Sequence, residues 1–385
     1  MKTLPVQAQW RDSGDDLDQY ARTVNSILSG DTLAGMRFVV VGAGALGNEV
    51  VKDLGLLGAG SVLVVDPDKV ELSNLSRSVF FRAGDRGCLK AEVLCRALTS
   101  IFPRTRWMFR TCEIADVGFG ELADADLFLT CVDNDLARIE VAWIALRLDI
   151  PVADAGLGGA DYWQGRVSFF AGRSSACFGC KLPPRRRREL LTLALSMGRS
   201  CQAQAETGPL SSTPTMAAIV GALQLDFGLR GLAQLKNGDR QDSCSPTLEI
   251  RLDCGAELRR FVTPMSPSCL FHAAAVHPSV PLEHSRASAR ELLDCHNLHA
   301  VDLDWPICVV ARCLTCGAEW KPMKRVAWLR RRGVCPFCGG VRILENQNIS
   351  FVDRNSPWVD TPLMDLGLPE RHLYALRTHA LEGRE

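Results

Sequence analysis

A glycine-rich turn between a strand-like run and a helix-like run is the feature that most constrains the fold. The stretch VVVGAGALGNEV places Gly42, Gly44 and Gly47 in the spacing G-x-G-x-x-G. Glycines there allow a tight turn and a close approach of the backbone to a phosphate, and the N-terminus of the next helix supplies N–H donors. The motif predicts a nucleotide-binding unit. The simpler alternative is that these glycines only permit close packing of the helix on the strand.

The sequence around this turn alternates between two kinds of hydrophobic pattern. Over residues 36–155, short β-branched runs alternate with helical runs: MRFVVV, LGNEVVKDLGLLG, SVLVVD, CLKAEVLCRALTSIF, ADLFLTC, DLARIEVAWIALRLD and IPVADAG. This order predicts an α/β fold with a Rossmann-like, mostly parallel sheet and helices on both faces. Ligands of such sheets bind beyond the carboxyl ends of the strands.

The rest of the chain suggests three regions. We expect an N-terminal helical segment over 1–35, a nucleotide-binding domain over 36–275 and a C-terminal extension over 276–385 made of short elements. Within the domain, RVSFF, TLEIRL and ELRRFV read as strands. Residues 183–212, which are rich in Arg, Ser, Gln and Pro, read as a crossover loop before a helix that has a threonine cap and an early proline.

Composition limits the partners and the compartment. The sequence has 44 Lys and Arg residues and 44 Asp and Glu residues, so no global charge favours nucleic acid or a membrane surface. The first residues lack the apolar core of a signal peptide, and no apolar run approaches the ~18 residues that a membrane span requires. We therefore expect a cytoplasmic protein. Of its 16 cysteines, several fall in C-x-x-C pairs, which in a reducing compartment indicates zinc rather than disulfides.

Polar residues after the glycine turn distinguish between nucleotide chemistries. Asp66 ends the next strand and suits the ribose hydroxyls of NAD or ATP equally. Asn74, Arg77 and Lys90 follow it, and such groups suit a site that neutralises triphosphate charge during nucleotidyl transfer. Asp133 follows the strand ADLFLT and suits Mg²⁺. Each has a simpler role, as a surface charge or as a helix N-cap for Asp133, but their joint order favours ATP.

The combination VVVGAGALGNEV, VVDPDKVELSNLSR, GCLKAE, CVDNDLAR and CFGC resembles the ThiF/MoeB/HesA family, prokaryotic relatives of ubiquitin-activating enzymes, over residues 18–272. Members use ATP and Mg²⁺ to adenylate the C-terminal glycine of a ubiquitin-fold protein, or occasionally a peptide. The resemblance implies that Asp66 binds the ribose and that Asp133 binds the magnesium ion. It implies that the phosphates are bound by Asn74, Arg77 and Lys90. Asp68 and Asn134 lie at matching positions whose roles are less defined.

The resemblance also implies a dimer and a further chemical step. QYARTVN is similar to the family's N-terminal helix motif, which would make Arg22 reach the ATP site of the partner subunit in a homodimer; a helix-surface charge is the alternative. Cys201 lies in the polar loop where some members place a cysteine that attacks the adenylate to form a thioester. Other members adenylate without one, so an incidental loop cysteine is the alternative.

CFGC resembles the first half of the family's zinc knuckle, which gives Cys177 and Cys180. Where the second half is expected, the sequence reads SPSCLFHAA, so Cys269 and His272 complete a predicted Cys₃His site. This departs from the family's four-cysteine pattern, and an ordinary loop Cys and His pair is the alternative.

A second cysteine set lies near the C-terminus. Cys313, Cys316, Cys335 and Cys338 follow the spacing C-x₂-C-x₁₈-C-x₂-C, which predicts a zinc ribbon over about 308–342. The alternative is that one of these pairs completes the Cys177/Cys180 site instead. The basic, tryptophan-containing segment between the pairs is a candidate docking face, for which a protein is a better partner than nucleic acid.

These inferences predict an enzyme that uses ATP and Mg²⁺ to adenylate the C-terminal glycine of a ubiquitin-like or sulfur-carrier protein. Thioester formation on Cys201 and transfer to a conjugating enzyme would follow. The alternatives are an adenylyltransferase for a peptide or sulfur carrier that uses no catalytic cysteine and, with weaker support, an NAD(P)-dependent oxidoreductase.

Overall fold

A computed structural model gives the fold. It describes residues 28, 30–158, 163–195, 213–238, 243–253, 255–274, 279–281, 287–369, 371 and 373–377. The chain divides into two compact units. The first holds the described residues within 1–114, 124–183 and 204–275, and the second holds those within 115–123, 184–203 and 276–385.

An eight-stranded sheet forms the centre of the first unit. Its strands are β1 (Arg37–Val41), β2 (Ser61–Val65), β3 (Arg106–Arg110), β4 (Leu127–Thr130), β5 (Val152–Leu157), β6 (Gln164–Phe170), β7 (Cys244–Arg251) and β8 (Glu257–Pro264). They lie in the order β3-β2-β1-β4-β5-β6-β7-β8. The pairs from β3 to β5 are parallel and those from β5 to β8 are antiparallel. The predicted mostly parallel α/β fold is confirmed.

The helices of this unit, numbered along the chain, are α1 (Gly30–Gly35), α2 (Ala45–Leu56), α3 (Lys90–Ile101), α5 (Asp135–Leu148), α6 (Phe178–Lys181), α8 (Pro214–Lys236) and α9 (Leu270–Ala274). Strands β1, β2 and β4 are almost entirely buried, which explains their continuous apolar runs. Their side chains join those of α2, α3 and α8 in one hydrophobic core.

Helix α8 begins as the sequence predicts and lies in this core. The Thr213 side chain accepts a hydrogen bond from the N–H of Met216 at 3.1 Å, and Pro214 occupies the first turn. By length and composition alone α8 is apolar enough to cross a membrane, contrary to the sequence expectation, with a mean hydropathy of 1.3. Its apolar character has another cause here, because it packs on α2, β5 and β6.

The second unit contains a separate, antiparallel sheet. Its strands are β9 (Ser279–Pro281), β10 (Ala300–Cys313), β11 (Glu319–Trp320), β12 (Lys324–Arg325), β13 (Ile343–Asp353) and β14 (Leu373–Arg377). Its helices are α4 (Phe119–Leu122), α7 (Pro184–Leu195), α10 (Ala289–His296) and α11 (Val326–Arg332). Strand β10 pairs with β11, β12, β13 and β14, so it organises the whole sheet.

Two features of this unit differ from the sequence expectation. Residues 184–195 form α7 where a crossover loop was expected, because a proline in the first turn and the run RRRRELLTLAL favour a helix. Arg185 and Glu189 add an i,i+4 ion pair at 3.0 Å. The C-terminal elements are also longer than predicted: β10 has 14 residues and β13 has 11. Within 313–338, however, the expected ribbon cysteines lie together.

Candidate nucleotide site and metal clusters

The carboxyl ends of three adjacent parallel strands carry the predicted nucleotide ligands. Strand β1 lies between β2 and β4, and the chain runs from β1 to β2 on one side and reaches β4 on the other side. This reversal of strand order opens a crevice that ligands of doubly wound sheets occupy. Gly42 follows β1, Asp66 follows β2 and Asp133 comes shortly after β4. The topology therefore places these residues at one edge of the sheet.

The glycine turn is built on close backbone contacts. Gly42 has a φ of +102°, and a Cβ added there would lie 2.5 Å from the carbonyl oxygen of Cys131. A Cβ on Gly47 would lie 2.0 Å from the carbonyl oxygen of Gly42. By contrast, a Cβ on Gly44 would meet nothing within 4 Å. The turn itself thus requires glycine at positions 42 and 47, and Gly44 leaves open space at the N-terminus of helix α2.

Asp66 is held rigidly at the edge of this turn. Its side chain is 6% exposed, and its two oxygens accept hydrogen bonds from the N–H groups of Ala43 at 2.6 Å and Asp68 at 2.7 Å. Burial raises the pKa of the Asp66 carboxyl, and the Lys90 charge and the two N–H groups oppose that rise. A carboxylate has about four lone-pair positions, so Asp66 keeps acceptor capacity for hydroxyl groups.

Asn48, which the sequence reasoning missed, ties the glycine turn to the segment that follows Asp66. The residue is fully buried, and its amide nitrogen donates to the carbonyl oxygens of Ala43 and Gly44, both at 3.0 Å. Its amide oxygen accepts from the N–H of Phe80 at 3.1 Å. A polar residue inside an apolar helical run was the signal that could have identified it.

Asn74 and Arg77 lie on a short ordered segment between Asp66 and Phe80. A 3₁₀ turn over Leu72–Asn74 is closed by a hydrogen bond of 3.0 Å from the N–H of Glu71 to the Asn74 side-chain oxygen. The Arg77 N–H donates to the carbonyl of Asn74 at 3.1 Å. Both side chains are half-buried. The Asn74 oxygen is thus engaged within the turn, and its amide nitrogen is the group left to bind a phosphate oxygen.

Lys90 and Asp68 face each other at the start of helix α3. The Lys90 N–H donates to the Asp68 carbonyl at 2.9 Å, and its ammonium nitrogen lies 3.4 Å from an Asp68 carboxylate oxygen. The Lys90 side chain is 13% exposed and that of Asp68 is 48% exposed. Asp68 therefore holds the ammonium group near Asp66.

The structure distinguishes the helix cap from the exposed carboxylate among Asp133 and Asn134, for which the sequence had left the cap assignment open. Asn134 is the N-cap of helix α5, since its side-chain oxygen accepts a hydrogen bond of 2.8 Å from the N–H of Ala137. Asp133 does not cap the helix; its carboxylate is exposed and lies 3.4 Å from the Asn134 amide nitrogen. An exposed carboxylate at a strand end is the kind of ligand that Mg²⁺ takes together with substrate phosphates.

Cys177, Cys180, Cys269 and His272 meet as one cluster in the first unit, with all four ligand atoms within 4.8 Å of one another. From the Cys177 sulfur, the distances are 3.9 Å to the Cys180 sulfur, 3.7 Å to the Cys269 sulfur and 3.8 Å to His272 Nδ1. Ligand atoms on a tetrahedral zinc lie about 3.8 Å apart when the Zn–S bond is about 2.3 Å. The donor set therefore fits zinc.

The groups that contact the cluster from outside support the histidine as a ligand. His272 Nε2 lies 2.9 Å from the carbonyl oxygen of Ser175, which fixes the proton on Nε2 and leaves Nδ1 facing the sulfurs. The Ser266 N–H donates to the Cys180 sulfur at 3.4 Å. The hydrogen bond between Cys177 and Cys180 raises the pKa of the Cys177 thiol and lowers that of the Cys180 thiol.

The ribbon cysteines Cys313, Cys316, Cys335 and Cys338 form a cluster of their own in the second unit. The Cys313–Cys338 and Cys316–Cys335 sulfur distances are both 3.7 Å, again the edge of a zinc tetrahedron and too long for a disulfide. The structure groups these four with one another, as the spacing predicted, and not with Cys177 and Cys180.

Two predicted site residues, Arg22 and Cys201, lie outside the described residues. Their roles stay predictions from the sequence.

Comparison with known proteins decides the family. A model of the ThiF family matches residues 20–251, which is more than half of the chain. The chain belongs to the ThiF family. The ThiF match includes the glycine turn, Asp66, Asp133, Cys177 and Cys180, but it ends before Cys269 and His272.

ThiF relatives are activating enzymes and adenylyltransferases. The chain is 31% identical over 175 residues to the Nedd8-activating enzyme E1 catalytic subunit of Drosophila melanogaster, covering 40% of this chain and 38% of that protein. It is 26% identical over 249 residues to the adenylyltransferase and sulfurtransferase UBA4 of Eremothecium gossypii, covering 61% and 53%. The chain thus spans about half or less of the curated relatives it matches.

The crystal structure of E. coli MccB with ATP has a similar fold. Its TM-score is 0.51 at 19% identity, over 66% of this chain and 74% of that one. The ThiF fold is therefore shared at low sequence identity.

Proposed function

We propose that this protein adenylates the C-terminal carboxylate of a ubiquitin-like or sulfur-carrier protein with ATP. The observation that carries the proposal is the meeting of Gly42, Asp66 and Asp133 at the reversal of strand order in a ThiF-family chain. The relatives named above, a Nedd8-activating enzyme and an adenylyltransferase, support the same chemistry.

The reaction joins two substrates without a general base. An oxygen of the carrier's terminal carboxylate, which is ionised at neutral pH, attacks the α-phosphorus of ATP. A new P–O bond forms, the bond between the α-phosphorus and the bridging oxygen breaks, and pyrophosphate leaves with that electron pair. The step shifts negative charge toward the leaving pyrophosphate, so positive groups that stabilise this charge lower the barrier.

Each named side chain has one task in this step. Asp66 holds the ribose hydroxyls, and the N-terminus of α2 faces the phosphates. Arg77 and Lys90 stabilise the phosphate charge, and the Asn74 amide nitrogen donates to a phosphate oxygen. Asp133 holds Mg²⁺, which when bound supplies further positive charge to the phosphates. Asp68 sets the position of the Lys90 ammonium group.

Other parts of the proposal rest on the family resemblance. Cys201 takes the carrier from the adenylate as a thioester, with AMP leaving, and a conjugating enzyme then accepts it. Arg22 reaches the ATP site of a second subunit in a homodimer. The cysteine clusters hold two structural zinc ions, which their donor distances support.

Exchange of labelled pyrophosphate into ATP tests the adenylation directly. We expect exchange that depends on a small protein ending in glycine, and a loss of at least about a hundredfold in Arg77→Ala. Arg96→Ala is the matched control, because Arg96 is an exposed arginine that pairs with Glu92 on the outer face of α3. Absence of stimulated exchange with every glycine-ending protein or peptide tried would contradict the proposal.

A second assay tests the thioester step alone. Wild-type protein should form an adduct with the carrier that thiols cleave, and Cys201→Ala should lose the adduct while it keeps exchange. A thiol-sensitive adduct that persists in Cys201→Ala would remove Cys201 from the mechanism. Full activity without any adduct would favour an adenylyltransferase that uses no cysteine.

A further inference from the structure

A buried arginine lies directly behind the proposed magnesium ligand. Arg138, in the first turns of α5, is 8% exposed and forms an ion pair with Asp154 on β5, which is 3% exposed. Its second terminal nitrogen donates to the carbonyl oxygen of Val132 at 2.5 Å. Val132 immediately precedes Asp133. Arg138 therefore fixes the peptide group from which Asp133 extends.

The backbone around Asp133 is held from both sides. Arg138 holds the Val132 carbonyl on one side, and the Asn134 cap on α5 holds the other side. The Asp133 carboxylate itself is exposed, and within the described part of the chain it accepts a long hydrogen bond of 3.4 Å from the Asn134 amide nitrogen. The position of this carboxylate consequently depends on the backbone on which it sits.

The Cys177–Cys180 segment of the Cys₃His cluster contacts Arg138 through Phe178. Phe178 stands between the two knuckle cysteines, is 3% exposed, and its ring centroid lies 5.9 Å from the Arg138 guanidinium carbon. That is within the range of a cation–π contact. The ring can move little, because the flanking Cys177 and Cys180 are both members of the cluster.

Strand β5, which carries Asp154, also leaves room for the guanidinium at Gly156. A Cβ added to Gly156 would lie 3.1 Å from the same Arg138 nitrogen that binds the Val132 carbonyl. Gly156 therefore admits the arginine in this orientation. The Phe178 ring, the ion pair with Asp154 and the space at Gly156 together define one position for the Arg138 guanidinium group.

We infer that Arg138 is a positioning residue for the magnesium site, and that the Cys₃His knuckle sets its position through Phe178. The inference rests on the proposed function of Asp133. It gives the cluster a role beyond holding the fold, because the cysteines that would hold the metal flank Phe178, and Phe178 contacts the arginine that supports Asp133. Arginine suits this task better than lysine, since its planar group can serve the Asp154 carboxylate and the Val132 carbonyl together.

The test measures magnesium dependence rather than overall activity. Arg138→Lys keeps the charge opposite Asp154 but loses the forked geometry, and Phe178→Leu removes the ring but keeps an apolar side chain. We expect Arg138→Lys to raise the Mg²⁺ concentration for half-maximal exchange roughly tenfold, the lower end of effects for groups that orient metal ligands. Phe178→Leu should shift it in the same direction by less.

Calorimetric titration of ATP, in buffer with Mg²⁺ and in buffer prepared without Mg²⁺ or chelator, gives a readout independent of turnover. The variants should lose affinity for ATP only when Mg²⁺ is present, and zinc content should stay at the wild-type value. Arg147→Lys is the matched control: Arg147 is also buried on α5, nine residues further along, and should behave as wild type. If Arg138→Lys does not fold, Phe178→Leu and Gly156→Ala carry the test.

The outcomes separate this inference from the proposed function. Variants that bind ATP with the wild-type dependence on Mg²⁺, even if they melt at lower temperature, would show that Arg138 serves stability alone and overturn the inference. Wild-type protein that binds ATP with Mg²⁺ but never exchanges pyrophosphate would overturn the proposed function, and the binding comparison would still decide the inference. Wild-type binding that ignores Mg²⁺ would overturn the inference, and pyrophosphate exchange would still decide the proposed function.

Discussion

The two cysteine clusters use similar donors but bring together very different lengths of chain. In the first unit the contact between the Cys177 and Cys269 sulfurs spans 92 positions, and the chain between them includes α8, β7 and β8. In the second unit the Cys313–Cys338 contact spans 25 positions. One cluster therefore closes a long loop within a large fold, and the other shapes a local pair of turns.

The two clusters also differ in how much hydrophobic core surrounds them. The first cluster lies beside fully buried Phe271 and next to Phe178, in a unit that has a large hydrophobic core of its own. Around the ribbon cluster, Leu314 is 52% exposed and Phe337 is 66% exposed. Among the described residues, the small core next to it consists of four buried residues and three partly buried ones: Cys308, Ala311, Val326 and Leu329; Trp320, Trp328 and Ile343. We infer that a metal in the first cluster would support an existing core, whereas a metal in the ribbon would take the place of one.

The largest effect is expected from removing a ribbon ligand. Cys335→Ser should lower zinc from two equivalents to one and unfold the ribbon locally, because structural zinc supplies about 10–16 kcal/mol in small metal-dependent folds. Hydrogen exchange should show protection across 313–343 falling at least about a hundredfold, with the first-unit sheet unchanged. Cys295→Ser, an exposed cysteine of α10 outside the cluster, is the control. A ribbon that keeps its protection without the metal would break the comparison.

A smaller but more widespread effect is expected from the long-range cluster. Cys269→Ser should also remove one zinc, but the core of the first unit should still fold. We expect its free energy of unfolding to fall by about 3–5 kcal/mol, the size expected for a cross-link that closes a loop this long. Denaturant titration measures this, with Cys244→Ser as the control outside the cluster. Complete unfolding of the first unit would contradict the view that its core stands without metal.

The same contrast explains what the sequence could predict. The ribbon could be predicted because its four cysteines lie close together in the sequence. The α/β order could be predicted because hydrophobic periodicity is a local property of the sequence. The Cys₃His site needed a family resemblance, since no local spacing links Cys177 to Cys269. Asn48 and Arg138 were missed for a related reason: their partners Phe80 and Asp154 lie 32 and 16 positions away, so only the folded chain shows them to be paired.

Glycines beside the two clusters offer a finer test of packing. Gly179 lies inside the first knuckle, and an added Cβ would lie 2.6 Å from the ring of Phe271, which packs edge-on against Trp143. Neither ring has free space, so Gly179→Ala should lower the free energy of unfolding by about 1–3 kcal/mol through overpacking. Thermal melting with zinc analysis measures the effect. Unchanged melting would mean that the buried knuckle is as adaptable as the exposed one.

The smallest effect is expected from the corresponding change in the ribbon, Gly340→Ala. An added Cβ would lie 2.9 Å from the hydroxyl of Thr315, which is exposed and can rotate away, and 3.2 Å from both the Thr315 Cβ and the Cys338 sulfur, so these two atoms must shift by a few tenths of an ångström. The conformational entropy that alanine removes from the unfolded chain offsets part of the cost, so the net change should stay below about 1 kcal/mol. Gly339→Ala is the contrasting control, because Gly339 has a φ of +70° that alanine disfavours. Competition with a chromophoric chelator should show wild-type zinc release for Gly340→Ala and faster release for Gly339→Ala. If Gly340→Ala released zinc as fast as Gly339→Ala, the ribbon would be as tightly packed as the buried cluster, and exposure would not explain the difference between them.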